Sequence, residues 1–404
     1  MSLTQVTAPL LASTTGSGTT VVLSTSPTIT SPTISGSLTT SSSGVTFSDG
    51  STQTAAASPF GLKNRIINGD MVIDQRNNGA SGTGANNYTV DRWGYYGTQS
   101  SKGTWQQNAG SVTPPAGFTR YLGFTSSSAY TVTATDNFVF YQHIEGFNFA
   151  DLNWGTANAR TVTLSFWVRS SLTGTFGGVF ANYAFTRSYP FAYTISAANT
   201  WEQKSITIPG DTSGTWVGST NAGAATLQFG LGTGSTFSGT AGVWSSTNFQ
   251  SATGATSVVG TNGATFYITG VQLERNTTAT PFEWIPYGTE LALCQRYLPA
   301  FSGLSNTFPA FVYGTTSCLA IIQFPVPTRT AATGIYVSSA GHFISWRLNT
   351  SASAAGAVAF NASGTNSAVL DCTGYSAGSF TGSYMTNFQG NNASALLYFT
   401  GCEL

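Results

Sequence analysis

Ionisable side chains are nearly missing from this chain. Its 404 residues include 14 Lys or Arg and 14 Asp or Glu, together 7%, against roughly a quarter in an average globular chain. Solubility therefore has to come from hydroxyls and amides. The formal net charge is zero, so nothing steers the chain toward nucleic acid or an acidic membrane surface. Low charge does not imply disorder here. Disordered chains are poor in aromatics and carry high net charge, whereas this one holds 27 Phe, 17 Tyr and 9 Trp. Thr, Val, Tyr and Phe suit pleated, half-buried surfaces, and abundant Gly, Ser and Asn supply turns. The composition reads as all-β.

Three zones follow one another. Residues 1–60 hold one charge, Asp49, and half of the first fifty residues are Ser or Thr. The tetrad SPTI occurs at 26–29 and again at 31–34. One such chain has too few apolar residues for a core, but several copies wound together could bury Val21, Ile29, Ile34 and Leu38 along a shared axis. The zone is thus either an intertwined stem or an extended attachment arm. The opening MSLTQVTAPLLAST lacks the basic start and sustained apolar core of a secretion signal, and no run is long and apolar enough for membrane insertion as a helix.

From 61 to 288 short alternating runs take over. TVTLSFWVRSS (161–171) places Val162, Leu164, Phe166 and Val168 on one face of a strand. Runs at 201–216, 225–232 and 264–274 repeat the signal between turn-rich segments, which predicts a jelly-roll β-sandwich. TELALCQRYL (289–298) is the best helix candidate and reads as a hinge. Beyond it, 299–404 returns to strands at 318–327, 334–338, 342–349 and 395–404, so that 289–404 reads as a small C-terminal β-sandwich, the tip domain.

Several motifs then carry a resemblance. NRIINGDMVIDQRNNG (64–79) followed by YTVDRW (88–93), QHIEG (142–146), TLSFWVRSS (163–171), GVQLERNTTATPFEWIPYGTELALCQRY (270–297), PVPTRTAAT (325–333) and the closing CEL (402–404) resemble a domain arrangement of bacteriophage and prophage tail-fibre proteins. The resemblance covers about 64–404. It implies a carbohydrate-binding-module-like jelly roll joined to a C-terminal tip domain in a homotrimeric fibre of the virion. The N-terminal arm would engage other phage tail or baseplate proteins, and the fibre would meet host cell-surface polysaccharide. Tip domains of such fibres vary, so receptor residues do not transfer. Jelly rolls of this type also hold a structural calcium, for which Asp136, Glu145 and Asp211 offer suitable oxygen donors. No other cofactor is expected.

Catalytic chemistry finds little footing. The two histidines, His143 and His342, belong to no Ser-His-Asp order, and no GxSxG elbow occurs. His143 and Glu145 are two residues apart on a predicted strand, so they could pair on one face. Glycoside hydrolysis needs two facing carboxylates, and the fourteen acids are spread singly. No catalytic residue is therefore assigned and no enzyme activity is expected. Asp91–Arg92 and Gln75–Arg76 read as ties holding the domain opening to the sandwich. Cys294, Cys318, Cys372 and Cys402 are spaced 24, 54 and 30 apart, which fits neither metal knuckles nor a dense disulfide framework, so buried free thiols are favoured.

Sugar binding has a physical basis in rings beside amides and hydroxyls, because an aromatic face packs on the C–H face of a pyranose. NYAFTRSYPFAY (182–193) gathers Tyr183, Tyr189 and Tyr193 around Arg187, while Trp216 and Trp244 stand in Gly/Ser/Thr loops. These six are the glycan-binding candidates. The competing use for the same rings is core or interface packing. Host adsorption through surface glycan is the leading function; the alternatives are a purely structural fibre or collar piece and a polysaccharide depolymerase.

Overall fold

The computed structural model describes residues 45–46, 52–53, 62–304, 306–346, 352–376, 379–380 and 384–404. Residues 1–57 and 58–404 form two separate units. Within the first, β1 (Val45–Thr46) pairs antiparallel with β2 (Thr52–Gln53). The stem-or-arm expectation otherwise lies outside the described residues.

The second unit opens with a sandwich of two antiparallel sheets. One has six strands in the order β10 (Ser188–Ile195), β9 (Gly174–Asn182), β12 (Gly223–Thr233), β7 (Asn137–Glu145), β4 (Gly94–Gly97) and β3 (Asn87–Tyr88). The other has five, ordered β11 (Glu202–Ile208), β8 (Val162–Ser170), β15 (Thr265–Glu274), β6 (Leu122–Ser126) and β5 (Gly103–Gln107). The many crossovers between neighbours in these orders are those of a jelly roll. The short pair β13 (Ser238–Gly239) and β14 (Ser251–Ala252) lies in the connection before β15. Period-two alternation drives the assembly: Val162, Leu164, Phe166 and Val168 are all fully buried, as their spacing predicts. They meet Trp93, Tyr95, Phe140, Phe229 and Phe266 in one aromatic-rich core.

The C-terminal strands build a second core. Three, ordered β16 (Ala300–Ser302), β25 (Leu396–Thr400) and β19 (Gly334–Val337), cover one side. Seven more form a sheet in the order β21 (Ala352–Ala354), β20 (Phe343–Trp346), β24 (Met385–Gly390), β17 (Thr307–Gly314), β18 (Ser317–Gln323), β23 (Ser367–Thr373) and β22 (Ala357–Ser363). Phe308, Val312, Ile322, Leu370, Phe388, Leu397 and Phe399 fill the space between them.

Helix α1 (Tyr287–Gln295) falls where the leucine pattern predicts, but it is no hinge. Cys294, Tyr297 and Leu298 are buried, and Ile67, Ile73, Leu291, Leu293 and Leu404 complete a third, smaller cluster with Cys294 and Tyr297. The buried Glu290 accepts the Asn68 backbone N–H, and Tyr297 Oη donates to Glu145 at 2.5 Å. A segment anchored at both ends wedges the two cores rather than flexing between them. All four cysteines are buried free thiols.

Candidate functional site

The ring candidates separate into two groups. β10 is a regular strand: Ser188, Pro190 and Ala192 pair on its outer side, while Tyr189, Phe191 and Tyr193 point into the sandwich. Tyr189 and Tyr193 are each only 6% exposed, so neither presents a face to a ligand. Their alternation with small residues is the strand period, which a reading of the segment as a ring cluster around Arg187 overlooks. Burial pushes the Tyr193 phenol well above its ordinary range.

Trp216 and Trp244 close one end of the same core. They stand edge-to-face with Trp154 at 4.7 and 5.3 Å, and Trp216 stacks on Phe149 at 5.5 Å. Trp244 donates to the Pro209 carbonyl at 2.8 Å. Arg187 does not stand free among tyrosines. It grips Asp211 through Nε and Nη2 at 2.7 and 2.8 Å, and Trp216 Nε1 adds a longer bond to the same carboxylate. This cluster reads as a built end-cap whose rings spend their surfaces on one another.

Tyr183 belongs elsewhere. It follows β9 in a turn that Asn182 holds by accepting the Arg187 N–H and donating to Thr186 Oγ1. The ring is 40% exposed and lies across Gly223, where any Cβ would sit 2.4 Å from it. Beside it is His143, edge-on at 4.9 Å; then Tyr141 at 4.8 Å from His143; then Tyr88 at 6.4 Å from Tyr141. Tyr141 and His143 share the outer face of β7, and Gly94 opposite Tyr141 leaves that ring room to lie on the sheet. Tyr96, on the same face of β4, is 39% exposed. The result is an aromatic row across the outer face of the six-stranded sheet, exposed at Tyr183 and at the flanking Tyr96 and half-buried at His143, Tyr141 and Tyr88, with the buried Thr226 and Gln228 of β12 beside it.

Its electrostatics are quiet. His143 Nδ1 lies 2.8 Å from Thr226 Oγ1. Burial, helped by the Arg92 charge, pushes its pKa down to about 3, so the ring is neutral. Arg92 lies beneath, donating to the His143 carbonyl. The row continues through a cation: the Arg76 guanidinium sits 4.7 Å from the Tyr88 ring and 5.5 Å from Tyr398 of β25, and Tyr398 stacks on Tyr336 at 4.7 Å and 12°.

The three calcium candidates are far from forming one site. Asp136 accepts from Thr98, Tyr130 and Thr133; burial opposes its charge, but these bonds prevail and hold its carboxyl well below the usual range. Glu145 does not pair with His143. It is taken by Arg296, at 2.5 and 3.0 Å, and by Tyr297. Asp211 is taken by Arg187. Each carboxylate thus has its own protein partners, and no group of three metal-ligating side chains occurs among the described residues.

The ties at the domain opening are real but differently paired. Asp91 accepts from the Gln75 backbone and side chain. Arg76 and Arg92 both reach Glu403, at 3.3 and 2.6 Å. The INGDMVIDQR, DRW and CEL motifs therefore meet at one buried carboxylate.

Comparison with known proteins returns structural likeness alone. No family model and no curated sequence matches. The enzymatically active domain of bacteriophage CBA120 tailspike protein 4 aligns with 52% of this chain at 14% identity and TM-score 0.29, and the aligned part is 21% of that longer chain. TmCBM61, solved with β-1,4-galactotriose, aligns over its whole length with 53% of this chain, at 10% identity and TM-score 0.29. A putative sugar binding protein of Bacteroides thetaiotaomicron does likewise at 11% identity and TM-score 0.30.

Proposed function

We propose that this chain is a tail-fibre protein of a phage virion that attaches to host-surface polysaccharide, and that the outer face of the six-stranded sheet is its glycan-binding surface. The observation that carries the reading is the row Tyr183–His143–Tyr141–Tyr88. Its rings lie on a sheet that places glycine beneath two of them, and they carry no net charge. Tyr183 stands exposed at the end of this row with the half-buried rings behind it, a stepped apolar surface that suits the C–H face of a neutral sugar. The tail-fibre assignment, the homotrimer and the attachment of the N-terminal arm to other tail proteins rest on the motif resemblance over 64–404. Asp91, Asp136, Glu145, Asp211 and Glu403 have oxygens engaged by protein donors, which gives those five structural roles; a hydrolytic reading would rest instead on Glu290 with Asp70 and Glu283 beside it.

The test is a glycan array probed with the full chain and with Tyr141→Ala and Tyr183→Ala. A defined set of glycans should retain the wild type, and each substitution should weaken retention roughly fivefold, the equivalent of about 1 kcal/mol of ring contact. Retention of no glycan would leave the purely structural reading in its place; equal retention of the variants would keep glycan binding but move its site off this row. Release of reducing ends from a bound polysaccharide would point to a depolymerase instead.

A further inference from the structure

The outer face of the seven-stranded sheet is apolar where a free surface would be polar. On β17 the inward residues are Phe308, Ala310 and Val312, and the outward ones are Pro309, Phe311 and Tyr313. On β18, Cys318, Ala320 and Ile322 point in, and Leu319 and Ile321 point out. An antiparallel strand with one wet face alternates apolar with polar; a strand apolar on both sides has the composition of one covered on both sides. Register aligns the outward residues into two rows. Met385, Phe311, Leu319, Asp371 and Ala359 face one another across β24, β17, β18, β23 and β22. Asn387, Pro309, Ile321 and Val369 form the next row, with Trp346 of β20 at its end.

The exposure is large. Met385 is 62% exposed, Tyr313 48%, Trp346 44%, Phe311 43% and Ile321 37%. Those five side chains alone present on the order of 500 Å², near the upper limit for the largest apolar patch of an ordinary monomer. With Pro309, Leu319, Ile344 and Val369 the face approaches the roughly 800 Å² that each partner brings to a standard stable interface. Charge does not select a foreign partner. Among the described residues the ionisable groups on these rows are Asp371 and the phenol of Tyr313, and Tyr313 Oη donates to Asp371 at 2.6 Å.

We infer that this face is the contact between copies of the chain, with a second copy as its occupant. Three such faces can converge on a common axis without stranding an ion, and the area approaches what each copy brings to a standard interface. The inference gives the homotrimer proposed above a specific surface, and it stands apart from the glycan reading because the aromatic row lies on a different sheet.

Sedimentation of the full chain tests it, using Phe311→Glu combined with Met385→Glu, and Val243→Glu as control. Val243 is 55% exposed and outside the face, and all three positions are exposed enough for the fold to survive. The wild type should sediment at a multiple of 42.1 kDa, the control likewise, and the double variant as a single chain with an unchanged circular-dichroism spectrum. A wild type that is itself monomeric would overturn both this contact and the homotrimer. An oligomer that persists in the double variant would overturn the contact while sparing the homotrimer.

Discussion

Glu290 and Asp91 show how few charges this molecule needs to acquire a pH profile. Burial pushes Glu290 up to about 7, with Asp70 and Glu283 adding to the effect against the bond from the Asn68 N–H. Burial likewise pushes Asp91 up to about 6. A carboxyl whose native pKa is raised stabilises the fold fully below its unfolded value and loses that contribution as pH rises through the native one. Glu145 and Asp136 act in the opposite sense: their native values are depressed, so their contribution is lost in acid. Thermal stability should therefore be highest at about pH 4–4.5 and decline between about pH 4.5 and 7, as Asp91 and Glu290 lose their protons. Melting curves of Glu290→Gln, which keeps an oxygen for the Asn68 N–H, should show a flatter decline; an unchanged slope would assign it to other groups. At the same scale, Tyr193→Phe should be tolerated, because its buried hydroxyl has no partner to lose. Tyr297→Phe should cost about 1–3 kcal/mol in urea unfolding, because it takes a donor from a buried carboxylate.

At the scale of elements, strands with one buried face were legible and surfaces were not. β8 and β11 fall on the runs whose alternation predicts them, since a strand's period is written in consecutive residues; β12 and β15 fall on predicted runs too, but both of their faces are buried. The same rule misled on β10, where rings at every second position look like a binding cluster until their inward direction is known. The aromatic row was illegible for a different reason. Tyr88, Tyr141 and Tyr183 lie on or beside separate strands, and only the register of β3, β4, β7 and β12 brings them together. The one local hint was YQH, which sets Tyr141 and His143 two residues apart. The pairing of Arg76 and Arg92 with Glu403 was equally hidden, because nothing local marks a partner 327 or 311 residues away. Glu403→Ala should cost about 3–5 kcal/mol, since it removes the counter-ion of the buried Arg92 and of the half-buried Arg76. Chemical denaturation compared with a surface substitution such as Val243→Ala would measure it.

For the molecule as a whole, two cores joined by a wedge raise the question of whether they melt together. α1 packs its buried side against residues of the domain opening, Arg296 and Tyr297 hold Glu145, and Glu403 holds the arginines of the opening. These links cross between the jelly roll and the C-terminal strands, so scanning calorimetry should record one cooperative transition for the region they join. The Glu403→Ala variant should split it, the C-terminal strands melting first because they lack the larger aromatic core. A wild type with two resolved transitions would show the wedge to be weaker than its contacts suggest.

The Glu403 clasp also sets a clock on synthesis. Arg92 is made 311 residues before the carboxylate that neutralises it, an interval of roughly 15–60 s at ordinary ribosome speeds. Throughout that wait the first-made edge of the jelly roll holds unmatched cations at a site built to be dry. The dry pairing of this edge is completed only once the residues beyond β25 have been made, so the part synthesised early is among the last to be finished.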